Sequence, residues 1–324
     1  MKSEAQVMEE NLLEVRNISV TFKSRYGVLK ALDNLSLNVK KGEILGLVGE
    51  SGAGKSMTGA AILGLIDPPG RLSSGEIYFK GESISNAPEV VRGHEISMIF
   101  QDPLMSLNPL RKIGDQLVET ILTHMDISKS EAINRAKNGL KEVGIDPSRL
   151  NSYPHTFSGG MRQRVVIALA LAPEPSLIIA DEPTTALDVS VQAQILDLLK
   201  KLCKERGTSI ILVTHDMGVI AETTDRVGVL YAGRLAEIGD TREVLTNPKH
   251  PYTRGLVDST PRIDSNSFKK SLFQIPGSMP KLDAMPSGCA FHPRCEFATE
   301  ICTKKIPQIL LDRSACWLLN DGEL

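Results

Sequence analysis

The stretch that decides the fold is ILGLVGESGAGKS, residues 44–56, in which a short apolar run leads directly into a glycine-rich turn. The apolar run, residues 44–48, is typical of a strand that is buried on both faces. The turn fits the pattern G-x-x-x-x-G-K-[ST] in full, and the segment from Met57 to Leu65 has helical character. The sequence therefore predicts a strand, a phosphate-binding loop and a helix, in that order.

The residue types in this loop suit a nucleotide with its metal ion. Glycines let backbone N–H groups converge on the β-phosphate, and the helix N-terminus adds a favourable dipole. Lys55 is expected to reach the β- and γ-phosphates, and the Ser56 hydroxyl to bind Mg²⁺. We therefore predict an ATP site with Mg²⁺. Its predicted nucleotide-binding residues are Gly49, Ser51, Gly52, Ala53, Gly54, Lys55, Ser56 and Met57.

A second apolar run, LIIADE at 177–182, ends in two adjacent carboxylates. Such a strand alone is usually one that runs into a solvated loop. Together with the phosphate loop, however, it supplies what a metal-bound nucleotide site needs. Asp181 is predicted to hold Mg²⁺ through water, and Glu182 to orient or deprotonate the attacking water.

The rest of the chain alternates strands with helices, which predicts an α/β fold with a mostly parallel sheet and helices on both faces. Short alternating runs between Leu13 and Val39 predict an antiparallel β subdomain. A helical insert is predicted at about 101–170. After His250, prolines punctuate a stretch with little periodicity, which indicates a loop-rich extension. The predicted domains are 1–250 and 251–324. Helices are predicted at 113–125, 129–143, 165–171 and 191–206, and buried strands at 177–180 and 209–213.

Composition limits the kinds of partner. Of 324 residues, 41% are hydrophobic, and 37 basic against 39 acidic residues give a net charge of −2. The absence of a basic excess argues against a nucleic-acid partner. No apolar run is long enough to span a membrane, and residues 1–13 lack the order of a secretory signal. We expect a cytosolic protein whose membrane role depends on a partner subunit.

The segment Ser158-Gly159-Gly160 narrows the class. From Leu13 to about Glu243 the sequence resembles the ABC ATPase family, whose hallmark is an L-S-G-G-Q segment that opens a helix. Here Phe157 stands in place of the leucine and Met161 in place of the glutamine. The resemblance implies that Ser158 and Gly160 close over the ATP bound to Lys55 and Ser56 of a facing subunit.

The resemblance also implies roles for three isolated residues. Gln101 matches the loop that senses Mg²⁺ and the γ-phosphate and touches the membrane subunit. Asp188 matches the loop that crosses the dimer interface, and His215 matches the histidine that contacts the γ-phosphate. The predicted catalytic residues are therefore Glu182, His215 and Gln101, and the metal ligands for Mg²⁺ include Ser56 and Gln101. Tyr26 is predicted to stack on adenine, with Phe22 as the alternative.

The segments HPYTR at 250–254 and GCAFHPRC at 288–295 resemble ATPase subunits of dipeptide and oligopeptide importers. This resemblance implies a second ATPase subunit, identical or related, two membrane permease subunits and, indirectly, an extracytoplasmic peptide-binding protein. It places the chain at the cytoplasmic face of the cell membrane. The alternatives are a transporter ATPase for nickel or another small solute, a soluble ABC ATPase without a transport role, and a small-molecule kinase.

Four cysteines follow the spacing C-x5-C-x6-C-x13-C, namely Cys289, Cys295, Cys302 and Cys316. Four thiolates can close a zinc site or hold a [4Fe–4S] cluster. Structural zinc usually prefers tighter cysteine pairs, and the importer resemblance implies the iron–sulfur cluster. Zinc and unmetallated thiols remain alternatives, and His292 is an alternative ligand. The expected role is a staple for the extension, without a redox reaction.

Overall fold

The structure is a computed structural model that describes residues 11–25, 27–185, 187–260, 273–309 and 314–319, without the side chains of Leu104 and Met105. Its strands in chain order are β1 (Asn11–Ser24), β2 (Gly27–Lys40), β3 (Ile44–Val48), β4 (Gly70–Phe79), β5 (Glu82–Ser83), β6 (Ile96–Ile99), β7 (Leu177–Asp181), β8 (Ser209–Val213), β9 (Arg226–Tyr231) and β10 (Arg234–Asp240). Its helices are α1 (Lys55–Ile62), α2 (Pro103–Ser106), α3 (Ile113–His124), α4 (Lys129–Glu142), α5 (Gly159–Leu171), α6 (Val189–Arg206), α7 (Met217–Thr223), α8 (Thr241–Thr246), α9 (Pro251–Asp258) and α10 (Glu300–Lys304).

Two compact units divide the chain. The first unit comprises Met1–Val39, Ile44–Asn86 and Thr214–Leu324, and the second comprises Lys40–Glu43 and Ala87–Val213. The first unit therefore contains the phosphate-binding loop and the C-terminal cysteines, whereas the second contains the predicted helical insert and both carboxylates at 181–182.

Two sets of paired strands build the first unit. In one, the antiparallel order is β2-β1-β4-β5, with Leu13 opposite Phe79 and Val15 opposite Ile77. In the other, β3 runs parallel to β9, and β10 pairs antiparallel with β9. The alternating runs that were predicted as several short strands are two long ones, β1 and β2. In β2 the buried apolar side chains alternate at Leu35, Leu37 and Val39, as in a half-buried sheet. In β1 a register shift after Arg16 interrupts the alternation.

The second unit contains the parallel strands β6, β7 and β8, with Ile99 opposite Ala180 and Asp181 opposite Val213. Every residue of β7 and β8 is buried, in line with the continuous apolar runs in their sequences. Ser128 caps helix α4, because its Oγ accepts from the Glu131 N–H at 3.2 Å. Helix α5 begins at Gly159, six residues before the predicted start, because Ser158 caps it.

The C-terminal region has more local structure than its prolines indicate. Helix α9 starts at Pro251, a residue that suits the first helical position because it has no N–H to leave unpaired. Ser314 forms an antiparallel bridge with Glu237 of β10. A buried cluster of the first unit combines Val229, Tyr231, Tyr252 and Phe291, so the extension packs on the strand that lies beside β3.

Candidate nucleotide-binding site

The predicted phosphate loop follows β3 and opens α1, as expected. Gly49, Gly52 and Gly54 have positive φ of 156°, 82° and 104°. A Cβ at Gly49 would lie 2.3 Å from the Leu230 carbonyl oxygen, and a Cβ at Gly54 would lie 2.9 Å from Leu32 Cδ2. The backbone conformation therefore requires glycine at these turns.

The loop holds its own lysine in place. Lys55 is buried, and its Nζ donates to the carbonyl oxygens of Gly49 at 2.8 Å and Glu50 at 3.1 Å. Gly54 is the N-cap of α1 and offers no side-chain cap to the first helical N–H groups. Ser51, Gly52 and Ser56 are exposed on the loop, Met57 is half-buried, and Ala53 is buried beneath it. A cationic side chain and a helix N-terminus at one glycine turn can bind phosphate groups.

His215 comes directly after β8 in the chain and belongs to the first unit. The N–H of the preceding residue, Thr214, donates to the Leu47 carbonyl oxygen of β3 at 3.1 Å. His215 is exposed, and the next residue, Asp216, caps α7 by accepting from the N–H groups of Gly218 and Val219. The backbone therefore places His215 beside the strand that leads into the phosphate loop.

In the second unit, Glu182 is fixed in an uncommon conformation. Its φ is +45°, and its N–H donates to the Val213 carbonyl oxygen at 2.9 Å. Its Oε2 accepts from Gln101 Nε2 at 3.1 Å and from Thr185 Oγ1 at 2.9 Å. A non-glycine residue with positive φ is strained, and such strain is concentrated at functional sites. The parallel pairing of β6 with β7 explains why Gln101 reaches Glu182. Asp181, at the end of β7, is buried.

Ser158 and Gly160 lie at the start of α5 beside the start of α6. Ser158 is exposed, and its Oγ accepts from the Met161 N–H at 3.4 Å. A Cβ at Gly160 would lie 2.6 Å from Val191 Cγ1, so a larger residue would displace α6. Asp188 caps α6, and hydrogen bonds from the Ser190 hydroxyl and the Val191 N–H lower the pKa of its carboxyl. Both predicted dimer-facing segments are therefore neighbours within this unit.

The two residues predicted to stack on adenine are Tyr26 and Phe22. Tyr26 lies outside the described residues. Phe22 is half-buried in β1 and lies opposite Gly70, where a Cβ would be 2.5 Å from the ring. Which of the two stacks on adenine stays a prediction.

The cysteines of the extension are neighbours without forming a ligand cage. All five cysteines of the chain are free of disulfides. Burial, together with the neighbouring thiols of Cys289, Cys295 and Cys302, raises the pKa of Cys316 to about 11. Backbone N–H groups point at three of the sulfurs, namely Phe291 and His292 at Cys289, Phe297 at Cys295 and Leu318 at Cys316. Within the described ranges, however, no group of three or more His, Cys, Asp or Glu side chains is arranged to hold a metal ion.

Sequence reasoning missed the residues that support the phosphate loop from behind. The Glu50 N–H donates to Tyr252 Oη at 2.8 Å, and both Glu50 carboxylate oxygens accept from Arg294, at 2.9 and 3.0 Å. The motif at 250–254 identified the importer resemblance but not this contact. Nothing in the local pattern marks Arg294 as a partner of the loop, because 244 positions separate it from Glu50.

Comparison with known proteins decides the family. The ABC transporter family profile matches residues 32–185. The profile of the oligopeptide/dipeptide transporter C-terminal region matches 236–302. The oligopeptide transport ATP-binding protein OppD of Salmonella typhimurium is 48% identical over 91% of this chain and 89% of its own length.

The chain belongs to the family of ABC transporter ATP-binding proteins. The dipeptide transport ATP-binding protein DppD of Bacillus subtilis is 45% identical, with 95% of each chain covered. A solved dimeric ATP-binding cassette in a post-hydrolysis state, bound to ADP and phosphate, has a TM-score of 0.64 at 31% identity, covering 71% of this chain and 99% of its own. These matches confirm the predicted fold class. They also show that the chain is an ABC ATPase, which binds and hydrolyses ATP. In the part of the chain that the structure describes, no helix combines the length and apolar character needed to cross a membrane.

Proposed function

We propose that this chain is the ATP-hydrolysing subunit of an ABC importer for dipeptides and oligopeptides. The observation that carries the proposal is the match of residues 236–302 to the oligopeptide/dipeptide transporter C-terminal region. Relatives that cover about nine-tenths of the chain or more are named for oligopeptide and dipeptide transport. Nickel or another small solute, and a non-transport ABC ATPase, are the alternatives.

The site residues divide the reaction into binding and hydrolysis. Lys55 and the N-terminus of α1 bind the β- and γ-phosphates, while Ser56, Gln101 and Asp181 are the residues for Mg²⁺. The metal ion, when bound, neutralises the phosphate charge. Two contacts support these roles. Lys55 donates to the Gly49 carbonyl oxygen of the loop, and Gln101 donates to the Glu182 carboxylate.

Glu182 is proposed to orient and deprotonate the attacking water. Thr185 and Gln101 hold one carboxylate oxygen, so the other oxygen of Glu182 is fixed in direction. A positioned base of this kind contributes about a hundredfold or more to the rate. His215 is proposed to contact the γ-phosphate and keep it in line with that water.

We propose that two ATPase subunits complete each other's sites. Ser158 and Gly160 of one subunit face the ATP bound to the other, and Asp188 lies at the seam. Support comes from the exposure of Ser158 at a helix N-terminus and from the solved relative, which is a dimer. The partner is a second copy or a related ATPase. Two membrane permease subunits take up the resulting motion at the cytoplasmic face, and a peptide-binding protein delivers the solute from the other side. No nucleic acid takes part.

Transport is the experiment that separates the proposal from its alternatives. The chain is reconstituted in proteoliposomes with peptide permease subunits, a partner ATPase and a binding protein. We expect peptide to stimulate ATP hydrolysis and to accumulate inside, with Glu182→Gln as the inactive control. Stimulation by nickel but not by peptide, or no association with permease subunits, would overturn the peptide assignment.

We also propose that Cys289, Cys295, Cys302 and Cys316 bind a [4Fe–4S] cluster, with zinc as the alternative. The donor chemistry fits, since soft thiolates suit both metals. Burial raises the pKa of Cys289, Cys295 and Cys316, and the backbone N–H groups that point at these sulfurs offset part of that rise. Bound metal would cross-link this loop-rich region. The observed arrangement of the thiols is not a ready-made cage, so the fit is one of donors and not of geometry.

Metal analysis tests this proposal. Protein purified without oxygen is expected to contain iron and sulfide in about equal amounts, four of each per chain, and Cys302→Ser to lose them. Cys203→Ser is the matched control, because Cys203 is buried in α6 and burial raises its pKa to about 12. One zinc per chain would support the alternative, and metal-free protein would overturn both.

A further inference from the structure

Glu50, the second residue of the phosphate loop, is held at each of its polar groups. Its carbonyl oxygen accepts from Lys55 Nζ and from the Ala53 N–H, each at 3.1 Å. Its N–H donates to Tyr252 Oη, and its carboxylate accepts two hydrogen bonds from Arg294. Glu50 therefore connects the phosphate-binding lysine to two residues that lie 202 and 244 positions further along the chain.

Arg294 lies in the loop between Cys289 and Cys295, which we call the 289–295 loop. Its side chain is 7% exposed. Its Nε donates to the Pro276 carbonyl oxygen at 2.7 Å, and its Nη1 also donates to Tyr231 Oη at 3.3 Å. Burial alone would lower the pKa of Arg294, but the hydrogen bonds to Glu50 and Tyr231 raise it above its ordinary value. A buried guanidinium needs a bidentate acceptor, and Glu50 supplies it.

Tyr252 is equally constrained. It is fully buried in the first turn of α9, where its N–H donates to His250 Nδ1 at 3.0 Å. Its ring packs on Tyr231 with centroids 4.6 Å apart and on Phe291 at 5.4 Å. Since the ring cannot turn away, its hydroxyl is a fixed acceptor for the Glu50 N–H.

We propose that Tyr252 and Arg294 are positioning residues of the ATP site, which fix Glu50 and thereby align the phosphate loop and Lys55. This gives the His-Pro-Tyr segment and the 289–295 loop a task in nucleotide binding. A loop that is already ordered loses less conformational entropy when it binds a ligand. The coupling is reciprocal, so bound nucleotide should also stabilise the 289–295 loop. The inference goes beyond the proposed function, because it depends on ATP binding and not on the transported solute.

Nucleotide titration of the full-length chain is the first test. Arg294→Met is expected to raise the Kd for MgADP roughly tenfold, within the usual range of couplings between sites. Tyr252→Phe is expected to raise it roughly threefold, which is the effect of losing about one neutral hydrogen bond. Turnover at saturating ATP should change less than twofold, because neither residue touches the reacting atoms. Arg294→Lys, which keeps the charge but not the bidentate fork, should give an intermediate Kd. The double variant Tyr252→Phe/Arg294→Met should fall short of the product of the single effects, because both act through Glu50.

Arg234→Met is the matched control. Arg234 also pairs with a carboxylate, that of Asp33, and also holds the C-terminal region, by donating to the Gly288 carbonyl oxygen at 3.2 Å. Its side chain does not bond to Glu50, so its loss should leave the Kd for MgADP within twofold of wild type. A rise equal to that of Arg294→Met would show a general loosening of the region and would overturn the proposal.

Hydrogen exchange gives the second readout. MgADP should slow amide exchange at residues 289–295 in the wild type and fail to do so in Arg294→Met. If Arg294→Met does not fold, Tyr252→Phe, which keeps the packed ring, carries the test. An unchanged Kd in folded Tyr252→Phe, or equal exchange with and without MgADP in the wild type, contradicts the proposal. Failure of peptide transport with this coupling intact would affect only the proposed function.

Discussion

Two glycine-rich turns open helices in this molecule, and they differ in what they do with their polar groups. In the turn at 49–56, Lys55 donates hydrogen bonds to the carbonyl oxygens of Gly49 and Glu50, which belong to the same turn. The first N–H groups of α1 have no side-chain cap. The turn at 158–160 is open, since the exposed Ser158 makes a long cap of 3.4 Å. We propose that the first turn is a phosphate cradle and that the second turn contacts a phosphate bound to the facing subunit. This difference suits the proposed site, which two subunits would share.

The largest effect is expected when the positive charge of the phosphate loop is removed. Lys55→Ala is expected to weaken MgATP binding by about a hundredfold or more, because a buried ammonium that faces phosphate groups is worth several kcal/mol. Isothermal titration measures the affinity. Lys281→Ala, at an exposed lysine of the same unit, is the control and should bind as wild type. Unchanged affinity in folded Lys55→Ala would show that the loop is not the phosphate site.

The cradle was predictable from sequence because its chemistry is local. The glycine spacing sets the backbone, and β3 and α1 follow from a few adjacent residues. By contrast, the contacts of Glu50 with Tyr252 and Arg294 join positions that are distant in the chain, and local patterns do not encode such pairs. The strained φ of Glu182 was also outside prediction, because the Val213 carbonyl oxygen and the Gln101 amide fix it through the fold. Helix α9 was missed because its proline was interpreted as a breaker and not as a first helical residue.

Ser158→Ala tests the open turn. We expect ATP turnover to fall about tenfold or more, because the hydroxyl is a contact to the facing subunit's phosphate, while MgATP binding to the isolated chain stays within twofold. The lost cap should cost less than about 1 kcal/mol of stability, since the bond is long. Turnover in the assembled ATPase and urea unfolding are the measurements.

Ser128→Ala is the matched control for this variant. Ser128 caps α4 by accepting from the Glu131 N–H at 3.2 Å and has no predicted role in the nucleotide site. It should cost similar stability and leave turnover unchanged. Equal turnover in Ser158→Ala and Ser128→Ala would contradict the proposed contact between Ser158 and the facing subunit's phosphate.

The buried histidine behind the cradle gives a smaller, pH-dependent effect. Burial lowers the pKa of His250 from 6.5 to about 4. The unfolded chain binds a proton at His250 below pH 6.5, whereas the folded chain does so only near pH 4. The free energy of unfolding is therefore highest above pH 6.5 and falls as the pH drops from 6.5 towards 4. Between pH 7 and 5 the free energy of unfolding should drop by about 2 kcal/mol through this group.

The difference between wild type and His250→Asn isolates that contribution. Asparagine at position 250 can still cap α9 by accepting from the Tyr252 N–H, and it does not titrate. Urea unfolding at pH 7 and pH 5 should therefore show a steeper loss in the wild type than in the variant. Equal losses would mean that His250 is already protonated or solvated in the folded protein.

We propose that Glu182 activates water for the hydrolysis of ATP bound at the phosphate loop. The most direct measurement compares MgATP binding and single-turnover hydrolysis in Glu182→Gln and wild type, with both subunits assembled. We expect the variant to bind MgATP as tightly as wild type and to hydrolyse it at least about a hundredfold more slowly. Hydrolysis at the wild-type rate in a folded variant, or loss of binding together with loss of hydrolysis, would contradict it.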